Sequence, residues 1–533
     1  MVTETADRRW LLKALSALLL VLLPGLAWSE LTEQQARGQK LYLSGISARG
    51  NPVEAYVGGQ SVRLPGSVVP CASCHGEDGR GRPEGGVIPS DITWPRLTKA
   101  YGVTSTSNRR HPPYDETALS VAIVEGGDPA GNRLDSAMPR YAMATEDMAD
   151  LVAYLKVVGQ TIDPGMSADS IQLGLLIPAP AAPDSLGGVI KAVYEAYFAD
   201  INGAGGIYNR KLQLVTESAA AEGEVVAAAE RLARRPVFAL LGAVTGGQGA
   251  AVGALMESLK VPSIGPLGDY AGEADSLDRY SFYLLAGTGV QQRSLVDYAA
   301  ATAKRADAAA AILHPRTAAG EKLAALMASQ AALHHWTAIE RIGYDPRDSD
   351  PRMLVKALRD KNVETLFFIE PAERAPELAW TGLAAAAREQ GWAPAMFLSG
   401  PLAGHGIPDR PSGFGGELFF AYPTLPRDLS PEGLREFQQF HRRHGLSGRH
   451  LQLQISAYAT AKLLARALKT SGRNLSREKL VAVLEDVYQY QNGLTPPLTF
   501  GPNRRLGADG AYVVGVDTDS GRFSSANWVA PLR

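Results

Sequence analysis

The chain has 533 residues, a net charge of -2 and 45% hydrophobic residues. The balanced charge argues against a nucleic-acid-binding protein, and the composition argues against a disordered chain. A chain of this length is expected to form roughly two or three domains.

The first 29 residues have the pattern of an export signal. Basic residues precede an apolar run from Ala14 to Leu23, and Ala27 and Ser29 stand where signal peptidase reads small residues. We therefore expect cleavage after Ser29 and a periplasmic location. The apolar run is short for a membrane span, and no second run of about 18 apolar residues follows. No stable membrane insertion is expected after cleavage.

The mature chain is predicted to begin with a helix. Thr32 and Gln35 have the spacing of a capping box, and Gly38 lies on the face that includes Leu41 and Tyr42. In small monohaem cytochromes c, which this segment resembles, a glycine here allows the first helix to pack closely on the last. A Gly- and Val-rich insertion follows at 46–69, either a short hairpin or a long loop.

The only two cysteines, Cys71 and Cys74, stand in the run Cys71-Ala72-Ser73-Cys74-His75. This spacing attaches a c-type haem, with one thioether from each thiol and His75 as the proximal iron ligand. A disulfide across a two-residue gap would close a small strained ring and would leave His75 unexplained. The run therefore predicts one covalent haem c.

The sixth iron ligand is predicted to be Met138. With Pro139 after it, Met138 resembles the methionine loop of cytochromes c. Three alternatives stay open, namely Met143, Met148 and His111. Met148 fits the apolar face of the helix predicted after the loop, and Met143 lacks a neighbouring proline.

The same resemblance implies further haem contacts. Pro89 lies at a suitable distance to orient the His75 imidazole through its carbonyl, and Trp94, Arg110 and Tyr114 are candidates for bonding the haem propionates. An iron with both axial positions filled has no open site for oxygen or peroxide. We therefore expect an electron carrier and no enzymatic activity.

The pattern of predicted secondary structure changes at Thr161. A Pro- and Gly-containing linker is followed by a strand predicted over 171–177, a helix over 187–202 and a strand over 211–216. Apolar strands that alternate with Ala-rich helices are typical of a parallel α/β sheet.

The second half resembles the periplasmic binding proteins for branched-chain amino acids and related amides (type I). The resemblance rests first on the run from Asp200 to Ile207, followed by Arg210 and Lys211, and extends from about Ser170 to the C-terminus. It implies two doubly wound lobes joined by three crossings. The predicted division is a signal peptide at 1–29, an all-α cytochrome c domain at 30–163, a linker at 164–170 and a two-lobed domain at 171–533. The first lobe is expected at 171–287 and 425–498, and the second at 288–424 and 499–533.

In this family the ligand lies between the lobes, beyond the carboxyl ends of the strands. The matching positions here are Thr245, Gly246, Gly247, Leu267, Gly268 and Asp269 in the first lobe, and Glu370 and Pro401 in the second. Asp269 stands where the amino-acid binders use a hydroxyl, and Pro401 where they use an acid. Asp269 either repels an anion or simply caps the segment that follows. The first reading predicts a neutral or cationic ligand that is not an α-amino acid.

Two functions follow from this combination. We expect a one-electron carrier that serves a periplasmic dehydrogenase or oxidase, coupled to a small-molecule-binding or partner-docking module. The alternative is a substrate-binding receptor of an ABC transporter for an amino-acid-like or amide ligand, with an accessory haem.

Overall fold

The computed structural model describes residues 31–58, 62–81, 86–104, 108–159, 162–267, 278–301, 308–345, 347–370, 380–399, 414–517 and 522–532. The chain divides into two compact units, Met1–Ile162 and Asp163–Arg533. Among the described residues, no helix is both long enough and apolar enough to cross a membrane.

The first unit is mainly helical. Its helices are α1 (Glu33–Ser44), α2 (Cys71–His75), α3 (Trp94–Leu97), α4 (Glu116–Val124) and α5 (Thr145–Leu155). The predicted capping box is confirmed, because the Gln35 amide donates to the Thr32 hydroxyl at 3.2 Å and the Thr32 amide donates to the Gln35 side chain at 2.9 Å.

Helix α1 packs directly on α5, as the position of Gly38 predicts. A Cβ atom at Gly38 would lie 1.9 Å from the backbone oxygen of Asp150, so no side chain fits there. One turn later, Tyr42 is fully buried and its ring centroid lies 5.4 Å from that of Tyr154. The close approach of the two helices is therefore set by a single glycine.

The insertion forms a hairpin of β1 (Glu54–Val57) and β2 (Val62–Pro65). Strand β1 also pairs, antiparallel, with β5 (Arg140–Ala142), the strand that follows Met138. A second, two-stranded sheet joins β3 (Val103–Thr104) to β4 (Arg110–His111). The insertion is thus part of a three-stranded sheet whose third strand leaves the methionine loop.

The first lobe of the second unit contains a five-stranded parallel sheet with the order β10-β9-β8-β6-β7. Its strands are β6 (Ser170–Pro178), β7 (Lys211–Ala219), β8 (Ala239–Leu241), β9 (Ser263–Ile264) and β10 (Ser281–Phe282). The surrounding helices are α6 (Leu186–Gly203), α7 (Val225–Ala233), α8 (Gly249–Ser258), α13 (Pro431–Arg443), α14 (Leu451–Ser471) and α15 (Arg477–Glu485). The predicted alternation of strand and helix is confirmed.

The second lobe contains a seven-stranded sheet with the order β12-β11-β13-β14-β15-β16-β17. The first five positions are parallel and the last two are antiparallel. Its strands are β11 (Ala310–Pro315), β12 (Ile339–Tyr344), β13 (Thr365–Phe368), β14 (Ala395–Ser399), β15 (Leu418–Tyr422), β16 (Ala511–Val516) and β17 (Phe523–Val529), and its helices are α9 (Thr288–Ala301), α10 (Ala318–Leu333), α11 (Pro351–Asp360) and α12 (Trp380–Glu389).

The segment at 499–508 lies on the first lobe, which corrects the predicted lobe boundary. Phe500 packs edge-to-face on Phe282 with ring centroids 5.4 Å apart, and both belong to the core of the first lobe. The Ala508 amide donates to the Leu284 oxygen at 3.0 Å. The chain therefore crosses to the second lobe only after Ala508, because Phe500 and Ala508 bury their surface in the first.

The predicted linker packs on the second unit. The Asp163 carboxylate accepts a hydrogen bond from the Arg477 amide at 2.5 Å, and the Gln172 amide donates to the Gly165 oxygen at 2.7 Å. Gly165 has a φ of 87°, and a Cβ atom there would lie 2.1 Å from the Phe238 amide nitrogen. Residues 163–169 therefore behave as the first residues of the binding unit.

We predict that a fragment that starts at Asp163 is more stable than one that starts at Ser170. The shorter fragment loses the Asp163 and Gly165 hydrogen bonds, which are worth roughly 1–3 kcal/mol together. Urea unfolding of both fragments measures the difference. Equal midpoints would show that residues 163–169 add nothing, and failure of both to fold would place the domain boundary elsewhere.

Candidate haem site and ligand cleft

The haem-attachment run forms the one-turn helix α2. Cys71 and Cys74 are three residues apart in it, so their thiols project from neighbouring positions on one face, and they form no disulfide with each other. Helix α2 ends at Gly76, whose φ of 74° suits a glycine. This is the arrangement in which two thiols and an imidazole reach one planar group.

His75 is oriented by a backbone carbonyl. Its Nδ1 lies 3.0 Å from the oxygen of Ser90 and donates to it, which leaves Nε2 with a lone pair for a metal. The prediction assigned this contact to Pro89, the preceding residue. The Pro89 oxygen instead faces Gly81, where a Cβ atom would lie 2.2 Å from it. Burial lowers the pKa of His75, which favours the neutral imidazole that binds iron.

The candidates for the sixth ligand have different surroundings. Met143 and Met148 pack against the core of the first unit. His111 is buried, its Nδ1 donates to the Pro112 oxygen at 2.8 Å, and its ring meets that of Tyr114 edge-on. Met138 is half-buried in the loop before β5. Met138 stays the predicted ligand, and the other three stay its alternatives.

The predicted propionate residues lie in two environments. Tyr114 belongs to the core of the first unit and Trp94 packs against that core, and burial raises the pKa of Tyr114 to about 12. Arg110 is exposed. Together with Arg96 and Lys99 it lines a surface pocket with a volume of about 260 Å³. The structure therefore groups Trp94 with Tyr114 and leaves Arg110 on the surface.

Two tyrosines whose roles were not predicted from the sequence form hydrogen bonds on either side of α2. The Tyr42 hydroxyl donates to the Gly76 oxygen at 2.5 Å, and the Tyr141 hydroxyl donates to the Val69 oxygen at 2.6 Å. Burial is the main cause that raises the pKa of each, so both stay protonated donors. No local sequence signal indicates these contacts, since Tyr141 lies far from Val69 along the chain.

The donor set fits a c-type haem. Two unpaired thiols and an imidazole with its Nε2 free to bind a metal are groups that such a haem uses. Cys71 and Cys74 would hold the porphyrin, and His75 would hold the iron.

The structure brings together part of the predicted ligand cleft in the first lobe. Val244 and Leu267 form a parallel bridge, and the Thr245 amide donates to the Leu267 oxygen at 3.2 Å. Thr245 is buried, and Gly246 and Gly247 begin the turn that leads into α8. These four predicted positions therefore lie side by side beyond the ends of β8 and β9.

The remaining predicted cleft positions divide into two groups. Gly268, Asp269 and Pro401 lie outside the described residues. Glu370 follows β13, is exposed, and accepts a hydrogen bond from the Trp380 amide at 3.0 Å. Glu370 thus satisfies the first amide of α12.

Comparison with known proteins agrees with this architecture. The family model described as periplasmic binding protein matches residues 170–522, and the one described as cytochrome c matches residues 69–158. The chain belongs to the periplasmic binding protein family and carries a cytochrome c domain. This cytochrome c domain implies one covalently bound c-type haem. No curated protein matches the sequence.

Solved structures of binding proteins share the fold of the second unit. A fatty acid ABC transporter substrate-binding protein from Thermomonospora curvata is 19% identical, with a TM-score of 0.50 over 70% of this chain and 97% of that one. A substrate-binding protein from Desulfitobacterium hafniense in complex with Leu is 16% identical, with a TM-score of 0.51 over 68% and 100%. A branched chain amino acid ABC transporter protein from Thermus thermophilus with bound valine is 14% identical, with a TM-score of 0.52 over 68% and 97%. These identities establish the fold alone.

We predict that Glu370→Ala lowers the free energy of unfolding of the binding unit by about 0.5–2 kcal/mol, because the Trp380 amide loses its acceptor. Glu370→Gln keeps an acceptor oxygen and is the matched control, with most of the stability retained. Chemical denaturation of both variants checks this. Equal stability of Glu370→Ala and the unsubstituted protein would remove the capping role.

Proposed function

We propose that this protein is a periplasmic one-electron carrier whose binding unit takes up a small molecule or docks a redox partner. The observation that carries the proposal is the orientation of His75 by the Ser90 carbonyl beside two unpaired thiols on the same helical turn. A structural histidine has no need of this combination.

A haem with imidazole and thioether ligands supplies one-electron transfer and favours its ferrous form. Cys71 and Cys74 anchor the group. The hydrogen bond from His75 to Ser90 fixes the ring tautomer, so Nε2 would be the atom that holds the iron. Met138 would hold the iron together with His75, and an iron held by both side chains would supply electron transfer rather than substrate chemistry.

The electron partner is a periplasmic dehydrogenase or oxidase. A binding unit on the same chain raises the effective concentration of whatever it holds near the haem unit. Two observations support a periplasmic location. The first 29 residues have the pattern of an export signal, and the second unit matches the periplasmic binding protein family.

Met138→Ala is expected to leave the haem attached, because the thioethers depend on Cys71 and Cys74 alone. The ferric protein should lose its weak methionine-to-iron charge-transfer band, bind cyanide or imidazole faster and show a lower reduction potential. Met143→Ala is the matched control and should keep the band. An unchanged spectrum in Met138→Ala would transfer the ligand role to Met143, Met148 or His111.

The binding unit is proposed to select a neutral or cationic small molecule. Solved structures with this fold include complexes with leucine and with valine and a fatty acid ABC transporter substrate-binding protein, and these three kinds of molecule all carry a carboxylate. By the family resemblance, Asp269 corresponds to the position at which the amino-acid binders use a hydroxyl, and it would bring a negative charge there. In a poorly solvated cleft, two like charges repel strongly, which disfavours a carboxylate ligand.

Calorimetry with a panel of amino acids and amides tests this selectivity. The unsubstituted protein should bind amides or amines and should show no detectable binding of leucine, isoleucine or valine. Asp269→Thr removes the repulsion, about 1–4 kcal/mol at effective dielectrics between water and the protein surface, and should gain affinity for carboxylates. Asp269→Asn is a control of similar size. Tight leucine binding by the unsubstituted protein would contradict the proposal.

A transport receptor is the second candidate, supported by the family match over residues 170–522. Genes for a permease and an ATPase beside this one would favour transport. A dehydrogenase gene in that place would favour electron delivery.

A further inference from the structure

The loop that carries Met138 is folded around the guanidinium of Arg140. Arg140 donates to the backbone oxygens of Met138, of Leu134 at 3.1 Å and of Asp135 at 3.3 Å. One side chain therefore ties both ends of the loop together. A planar group with several fixed donors suits this task better than a single ammonium would.

The backbone leaves room for this guanidinium at Gly126. Gly126 has a φ of 76°, and a Cβ atom there would lie 1.9 Å from Nε of Arg140. The Leu134 amide also donates to the Gly126 oxygen at 2.8 Å. The contacts that surround the Arg140 guanidinium therefore come from Gly126 on one side and from the Met138 loop on the other.

Arg140 also belongs to β5, which the insertion supports. Ala55 of β1 pairs with Tyr141, and Tyr56 pairs with Arg140. Ala55 is fully buried, and Tyr141 donates to Val69 just before the haem-attachment helix. The strand that leaves the methionine loop is therefore held at both ends of the insertion, by β1 and by Val69 just before α2.

The insertion is in turn anchored on α5 by two buried carboxylates. Asp147 accepts from the Ser47 hydroxyl at 2.6 Å and from the Asn51 amide group at 3.0 Å. Asp150 accepts from Arg49 at 2.9 Å. The start of the insertion is therefore fixed to the last helix of the haem unit.

From these contacts we propose that Arg140 is a positioning residue for the iron ligand Met138, and that the insertion at 46–69 supports it through β1. This proposal rests on the assignment of Met138 under Proposed function. The insertion then keeps the thioether in place and excludes competing ligands from the iron.

The experiment uses the full-length protein with haem attached and compares Arg140→Met with Arg133→Met. Arg133 is an exposed arginine beside the same loop, so both variants lose one positive charge there. Arg140→Met should weaken the ferric charge-transfer band, bind cyanide on the order of tenfold faster and lower the potential further than Arg133→Met does. Arg133→Met should keep the band and the cyanide rate.

Arg140→Lys keeps the charge and part of the hydrogen bonding, so an intermediate cyanide rate is expected. It also serves if Arg140→Met does not fold. The triple variant Ser47→Ala, Arg49→Met and Asn51→Ala releases the insertion from both Asp147 and Asp150 and should also speed cyanide binding. An unchanged rate in the triple variant would exclude the insertion from this role.

Met138→Ala is measured alongside to separate the two proposals. If Met138→Ala leaves the spectrum unchanged, the ligand assignment is wrong. If Met138→Ala opens the iron while Arg140→Met and Arg140→Lys both behave like Arg133→Met, the ligand assignment holds and the positioning role of Arg140 is wrong.

Discussion

The contact between α1 and α5 at Gly38 is the constraint on which the haem unit depends. Because a Cβ atom at Gly38 would collide with the Asp150 backbone, the two helices lie as close as backbones allow. This approach buries Tyr42, whose hydroxyl holds the end of the haem-attachment helix at Gly76. The position of His75 is therefore coupled to helix packing some thirty residues earlier in the chain.

The same pair of helices also orients the insertion. Asp150 is buried and receives hydrogen bonds from Arg37 of α1 and Arg49 of the insertion. Burial alone would raise the pKa of Asp150, but the two arginines outweigh it and hold that pKa below its usual range. A buried carboxylate is tolerated when it is paired and hydrogen-bonded, and its partners are then fixed in position. Helix packing, the insertion and the methionine loop thus form one connected structure.

The binding unit follows a different logic, in which local order gives most of the architecture. Parallel strands need crossover helices, so alternating segments in the sequence become two layered lobes. The point at which the chain passes from the first lobe to the second, after Ala508, could not be placed from the sequence. It depends on the contact between Phe500 and Phe282, which are far apart in the chain. Glu370 illustrates the same limit, since its contact with Trp380 joins residues on either side of a connecting segment.

The sequence by itself indicated the haem type from a short run of residues at fixed spacing and the two folds from their segment patterns, and it predicted which residues hold the haem. Cys71, Cys74 and His75 lie within one helical turn, and the capping box at Thr32 spans three residues. Only the tertiary structure decided that Ser90 rather than Pro89 orients His75, and that β1 of the insertion pairs with the strand after Met138. Those contacts join residues at least 15 positions apart, and a one-residue change in register moves a carbonyl from one partner to the next. The spacing of residues along the chain therefore indicated which cofactor the protein uses. Tertiary packing decided which contacts orient the residues that would hold it.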